Sequence, residues 1–337
     1  MKIIQRTKYL VYYLRELDWN QFNRFMKFAC NQTGKSKFAL WIDAILSVYK
    51  YNIGLADYFI FKFYEKLHAE RDTWVGTGFK YEFDLIMNPI ESRKVLQDKK
   101  EFNKVYESFL LHHDCDIKMV SPESEVVNSI FGSDSGKIVL KNSLGQCGKE
   151  VEIRNSSEIP VEQLQEYMAV NNFDILETYI DQHDDLKRLS PSGLNTIRVI
   201  TMVNKDKSVD ILGVRLRISV NSPVDNLASG NIACFVNKET GIVEGNGFYS
   251  DITKESVSIH PITNEKLLGF QIPMFDMVKK KAIELALFKP ENRCVGWDIA
   301  VTNSGVDVLE GNHNWCKILW QIPVDKGLKS ELLKYLG

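Results

Sequence analysis

The chain has 337 residues, with 42 Lys and Arg set against 44 Asp and Glu for a net charge of −2, and its 44% hydrophobic and 26% charged content is ordinary for a globular protein. That length exceeds one compact core and predicts two or more lobes. Near-neutral charge lacks the basic excess of extended nucleic-acid binding, and with no apolar run of about eighteen residues and no leader-like start, a soluble cytoplasmic protein is the expectation.

From residue 7 to about 66 the apolar side chains recur at helical spacing: Leu10, Tyr13, Leu14 and Leu17, then Trp19, Phe22, Phe25, Met26 and Ala29, then Ile42, Ile45, Leu46 and Tyr49. An aromatic stripe of this kind serves either as core or as a surface for a membrane or partner groove; the spacing favours core, and residues 1–90 read as a helical N-terminal lobe. Asn88-Pro89 marks its end, and a helix is predicted over 91–112. Short β-rich segments follow at 137–141, 151–153, 175–180, 196–203, 209–220, 232–236, 296–302 and 306–309, with helices at 161–171 and 274–288. Helices and strands mix without strict βαβ alternation, which predicts an α+β fold rather than a doubly wound sheet.

Six cysteines lie far apart without a C-x-x-C pair, and six histidines form no H-E-x-x-H cluster, so disulfide frameworks, structural zinc and histidine-ligated metal catalysis drop out. Two segments imitate a Walker loop, ending at Lys137 and Lys149, but both have the wrong spacing, lack a following Ser or Thr and precede strands. A different device remains open after Lys141. There the chain turns through residues 142–148, and the backbone N–H groups of a turn containing Gly145 and Gly148 suit a triphosphate, with Lys141 adding charge. The alternative is an ordinary surface hairpin with an exposed lysine.

The most informative stretch is 296–312. Asn303-Ser304-Gly305 suits a three-residue hairpin turn with Thr302 opposite Val306, a register that sets Asp298 opposite Glu310 with Asn312 on the same face. Opposed like charges are unfavourable unless a cation or proton lies between them, and an all-oxygen set suits Mg²⁺ better than zinc. A register slip of one residue is the alternative, and it would leave two unrelated carboxylates.

From about Asp98 to Trp315 the chain resembles the ATP-grasp enzymes, and specifically those associated with sugar transfer and surface polysaccharides. The likeness lies in Leu176-Glu-Thr-Tyr-Ile-Asp-Gln-His183, Asn195-Thr-Ile-Arg-Val-Ile-Thr201, Val224-Asp-Asn226, His260-Pro261, Gly296-Trp-Asp-Ile-Ala300 and Leu309-Glu-Gly-Asn312, in that order. It implies an ATP-grasp fold of two α+β lobes, residues 91–180 and 181–337, closing on ATP behind the helical lobe.

The same resemblance implies roles. Lys99 and Lys141 reach the phosphates under the loop holding Gly145 and Gly148, while Glu177, Thr178, Tyr179 and Ile180 form the adenine hinge with Asp184 near the ribose. Asp298, Glu310 and Asn312 hold Mg²⁺, Arg198 and Arg215 face the transferring phosphoryl group or an anionic acceptor, and Asn195, Thr196, Asn226 and His260 line the acceptor site. Asn142, Asn231 and Asn264 depart from the pattern, which bears on loop closure and the acceptor site. The implied activity is an ATP- and Mg²⁺-dependent carboxylate–amine ligase acting through an acyl phosphate on a small carboxylate and an amine or sugar-linked acceptor. The alternatives are a sugar phosphotransferase and a non-catalytic nucleotide-binding protein joined to glycan-assembly enzymes through the helical lobe. The ligase chemistry needs no protein nucleophile, so Cys147, Cys316, Ser192 and His183 are not assigned as one.

Overall fold

The structure is a computed structural model that describes residues 2–145 and 151–337. The N-terminal lobe comprises α1 (Lys2–Arg15), α2 (Trp19–Thr33), α3 (Lys37–Tyr51), α4 (Leu55–Ile60) and the single turn α5 (His68–Arg71). Asp18 caps α2 by accepting from the N–H groups of Asn20 and Gln21, and Gly34 closes it in the left-handed region at φ 70°. The α2 stripe of Phe22, Phe25, Met26 and Ala29 turns inward as its spacing predicts. On α3 the core face is Leu40, Ala44, Val48 and Tyr51, whereas Ile42 and Leu46 are 43% and 60% exposed. That helix is apolar on more than one side, so spacing alone does not choose its inner face.

A helix α6 (Thr77–Met87) leaves this lobe and packs Phe83 and Met87 against Ile200, Met202, Cys294, Trp315 and Trp320. The helix expected over 91–112 is shorter, α7 (Lys99–Tyr106), because Asp98 accepts from the N–H groups of Lys100 and Glu101 and starts a new helix. Phe102 and Tyr106 of α7 join the largest hydrophobic core.

Beyond α7 lies a four-stranded antiparallel sheet of order β1-β4-β2-β3, formed by β1 (Asp114–Asp116), β2 (Lys137–Lys141), β3 (Val151–Asn155) and β4 (Ile175–Thr178). Two helices, α8 (Glu125–Phe131) and α9 (Val161–Val170), cover one face, packing Val127, Ile130, Leu164 and Met168 on Ile138, Leu140 and Leu176. Strand alternation turns Val139, Lys141 and Glu177 to the other face.

The chain then passes through α10 (Asp184–Leu189) into a five-stranded antiparallel sheet of order β7-β6-β5-β8-β9. Its strands are β5 (Thr196–Val203), β6 (Val209–Ile218), β7 (Ile232–Val236), β8 (Cys294–Val301) and β9 (Val306–Asn312). One face carries Ile197 and Val199 into the core beneath α11 (Phe275–Phe288). On the other face α6, α12 (Lys317–Gln321) and α13 (Lys329–Leu333) cover the end holding Ile200 and Met202, leaving the end with Thr196 and Arg198 open. Two chain segments cross between the sheets and both are tied to the β8–β9 hairpin: the His183 N–H donates to Val301 at 2.7 Å, and Asp307 accepts from the N–H of Leu111 at 2.8 Å. No helix among the described residues is long and apolar enough to cross a membrane.

Candidate active site

Between the polar faces of the two sheets lies a cleft of about 750 Å³, a size typical of small-molecule sites. Lys99 and Lys141 enter it from the four-stranded side. Lys99 is the first residue of α7; its Nζ donates to the carbonyls of Ser143 and Gly145, which tethers the start of the loop after β2. Lys141 ends β2 and pairs with Glu177 on β4, a residue only 3% exposed. Burial works to raise the Glu177 carboxyl, but the nearby charges of Lys141 and His112 outweigh it and hold the group below the usual carboxylate range. Gly145 lines the cleft, whereas Gly148 lies outside the described residues.

Thr178, Tyr179 and Ile180 line the cleft where the chain leaves β4. Lys137, which sequence reading weighs only as the end of a rejected Walker-like segment, also lines the cleft, with its Nζ 5.0 Å from the Tyr179 ring centroid. Asp184 is elsewhere: it is exposed at the start of α10, where its N–H donates to Asn303, and it does not line the cleft.

On the five-stranded side, Asp298 is directly opposite Glu310. The route to that pairing differs from the simple hairpin. Val301, not Thr302, is opposite Val306, the Thr302 N–H donates to Gly305 at 2.8 Å, and a register shift between Asp298 and Ile299 leaves Leu309 unpaired. The turn is therefore one residue tighter than Asn303-Ser304-Gly305, and a β-bulge restores the alignment beyond it. Asn312 donates its amide to Glu310 at 3.0 Å.

Asp298 is held by two arginines: Arg198 grips both oxygens, and Arg217 reaches one of them at 2.5 Å and Asp225 at 2.8 Å. Asp225 also accepts from the backbone N–H and hydroxyl of Thr196. Burial opposes ionisation of Asp298, but Arg198 and Arg217 prevail and keep it well below the usual range. Glu310 is displaced the other way, upward, first by burial and then by the Asp298 charge. Among the described residues no group of three or more His, Cys, Asp or Glu gathers as a metal centre. The third oxygen at this pair belongs to an amide, Asn312.

Three further residues singled out in the sequence do not reach the cleft. Arg215 is opposite Arg198 on β6, yet its guanidinium donates to the carbonyls of Val214, Leu319 and Trp320, anchoring α12. Asn195 is fully buried and ties together Gln182, Ser190 and Ser219. His260, 1% exposed, meets the Ser219 carbonyl at 3.0 Å through Nε2 and accepts from the Thr263 N–H at 3.2 Å through Nδ1. Thr196 and Asn226 do line the cleft, Asn226 also accepting from the Ala228 N–H. Arg217 and Asp225, which sequence reading does not assign, sit at the cleft's centre of charge. Arg217 was accessible to reasoning, since it is opposite Thr196 and shares a face with Arg215.

Comparison with known proteins places the chain. Similar solved structures include the ATP-grasp ligase PsnB in complex with a phosphomimetic minimal precursor, Mg and ADP (11% identity, TM-score 0.42, covering 74% of this chain and 62% of that one). Others are a biotin carboxylase–β-γ-ATP complex from Campylobacter jejuni (12%, 0.45, covering 73% and 47%) and a D-alanine–D-alanine ligase from Bacillus anthracis (13%, 0.41, covering 76% and 74%). The chain thus spans less than two thirds of the length of the first two. Among curated proteins none matches. The family profile described as sugar-transfer associated ATP-grasp matches residues 79–335, which takes in both sheets and every cleft residue named above. On that match the chain belongs to the sugar-transfer-associated ATP-grasp family.

Proposed function

We propose that the cleft binds Mg-ATP and uses it to join a carboxylate to an amine in the synthesis of a sugar conjugate or surface polysaccharide. The observation that carries this reading is the arrangement of charge: two lysines on the four-stranded side face a carboxylate pair on the five-stranded side, buried Asp298 and half-buried Glu310. Lysines at one wall suit phosphate oxygens; Arg198 and Arg217 balance Asp298, and Glu310 beside it has no ion-pair partner among the described residues, which leaves it for a bound cation. The donor set of Asp298, Glu310 and Asn312 is all oxygen, which fits Mg²⁺. The ion, when bound, would neutralise charge on the phosphate oxygens.

In this reading Val139, Ile153 and Tyr179 flank the adenine, and Lys99 and Lys141 hold the phosphates. The γ-phosphoryl group passes to a carboxylate oxygen of the acceptor with loss of ADP. The amine then attacks the acyl carbon, loses a proton and forms the amide, and phosphate leaves with the carboxylate oxygen. Arg198 and Arg217 keep Asp298 ionised and fixed, and the wall they share with Thr196 and Asn226 meets the acceptor. Residues 91–180 and 181–337 then supply the phosphate-binding and the metal and acceptor groups, with residues 1–90 outside the chemistry. Reliance on ATP fits a cytoplasmic protein.

Lys141→Ala should weaken Mg-ATP binding by about tenfold to a hundredfold, the worth of a charge-assisted hydrogen bond. Isothermal titration reads this directly. Lys187→Ala, on α10 with its ammonium turned to Asp181, is the control and should bind as the parent does. Equal affinities for the two variants would reject the phosphate role of Lys141.

A further inference from the structure

Both segments that cross between the sheets are tied to the β8–β9 hairpin, and one tie is built from ionisable groups. Asp307, on β9, accepts from the N–H of Leu111 at 2.8 Å and from the N–H of His112 at 3.0 Å, and its Oδ2 lies 2.7 Å from His112 Nδ1. Both side chains are 2% exposed. A salt bridge this deep is an expensive way to hold two segments together, because desolvation offsets most of its attraction. Its location suggests what it does besides holding. His112 precedes β1, whose Asp114 is opposite Glu177, and Glu177 carries Lys141. Asp307 lies three residues before Glu310 on the same strand. The pair thus stands between the lysine that faces the phosphates and the strand that carries the metal residues.

Resting on the nucleotide reading above, we propose that His112, clamped by Asp307, is a positioning residue. It joins the sheet that carries Glu177 and Lys141 to the strand that carries Glu310, so that lysine and metal residues meet one nucleotide. The ionisable groups facing His112 are Asp307 from β9, Glu177 from β4, Lys141 from β2 and Asp114 from β1. Burial works to strip the proton from His112, but Asp307 and Glu177 prevail and raise its pKa. Protonated His112 gives Glu177 a second cation, which loosens its hold on Lys141 and frees that ammonium for phosphate. When His112 loses its proton, Lys141 is the cation left beside Glu177 among the described residues. Because the folded pKa is raised, the favourable state is complete at low pH and is lost as pH rises through it.

The test measures binding of Mg-AMPPNP by titration calorimetry from about pH 6 to about pH 9 in the full chain, in His112→Gln and in Asp307→Asn, with thermal melts to confirm folding. The parent should lose about tenfold in affinity across the range. His112→Gln should bind as the parent does at the alkaline end and show no such limb. Histidine NMR on the nucleotide-free protein gives an independent reading, with the His112 titration midpoint expected above that of a free histidine and lowered in Asp307→Asn. Parallel pH profiles in the parent and a folded His112→Gln would overturn the inference. If the parent fails to bind AMPPNP, the nucleotide reading falls. The NMR midpoint then still decides the Asp307 clamp, and a midpoint unmoved by Asp307→Asn would overturn it.

Discussion

Glu310→Gln should reduce turnover by about a thousandfold or more while leaving the metal-free protein as stable as the parent or more so. The two effects separate because Glu310 is a cost to the fold when no cation is bound. Burial and the neighbouring Asp298 charge both raise its pKa, so the folded state prefers the protonated form. An acid whose folded pKa is raised loses stability as pH climbs from its unfolded value through the raised one. The parent in EDTA should therefore show that decline above about pH 4, near the ordinary Glu value, and Glu310→Gln should show a smaller one, because Asp84, Asp114 and Asp225 are raised as well. Thermal melts across pH, with EDTA and again with Mg-ATP, read both predictions. A large fall in stability already present in EDTA, with normal turnover, would mean that Glu310 anchors the hairpin by hydrogen bonds instead.

Arg217→Met should act in the opposite way, destabilising the fold itself rather than only silencing turnover. Arg217 bridges Asp225 and Asp298, and Asp298 keeps Arg198 when it is lost whereas, among the described residues, Asp225 retains only the donors of Thr196. Removing one partner of a buried ion pair leaves an uncompensated charge, and the expected loss is about 3–5 kcal/mol. Urea unfolding with an unchanged slope checks it. A loss below about 1 kcal/mol, the level of an exposed pair, would contradict the picture of a closed charge cluster.

The residues facing the cleft were largely legible because strand alternation and local motifs fix them. Lys141, Glu177, Arg198 and Asp298 each sit in a strand whose period-two pattern assigns their face. The opposition of Asp298 and Glu310 was also legible, but the hairpin reaches it through a tighter turn compensated by the bulge at Leu309. Hydrophobic alternation does not announce a bulge, since Val308 and Leu309 are both apolar.

What remained hidden depends on contacts distant in sequence. Arg215 and Arg217 share a face of β6, and the difference between them comes from the carbonyls of Leu319 and Trp320, which take Arg215 out of the cleft. Asn195 and His260 read as polar site residues, yet both are spent on loop backbone around Ser219. Strand β1 is Asp-Cys-Asp, too short for any period to show. Asp98 divides the predicted 91–112 helix by capping the start of α7, a role open to sequence reading but masked by the apolar pattern running through it.

The most direct test of the proposed reaction is ³¹P NMR of the protein with Mg-ATP, hydroxylamine as the amine, and a panel of uronic and amino-acid carboxylates. The account predicts ADP and inorganic phosphate, formed only with a carboxylate present and accompanied by a hydroxamate. AMP with pyrophosphate would contradict it, and so would ADP with a sugar phosphoester and no free phosphate.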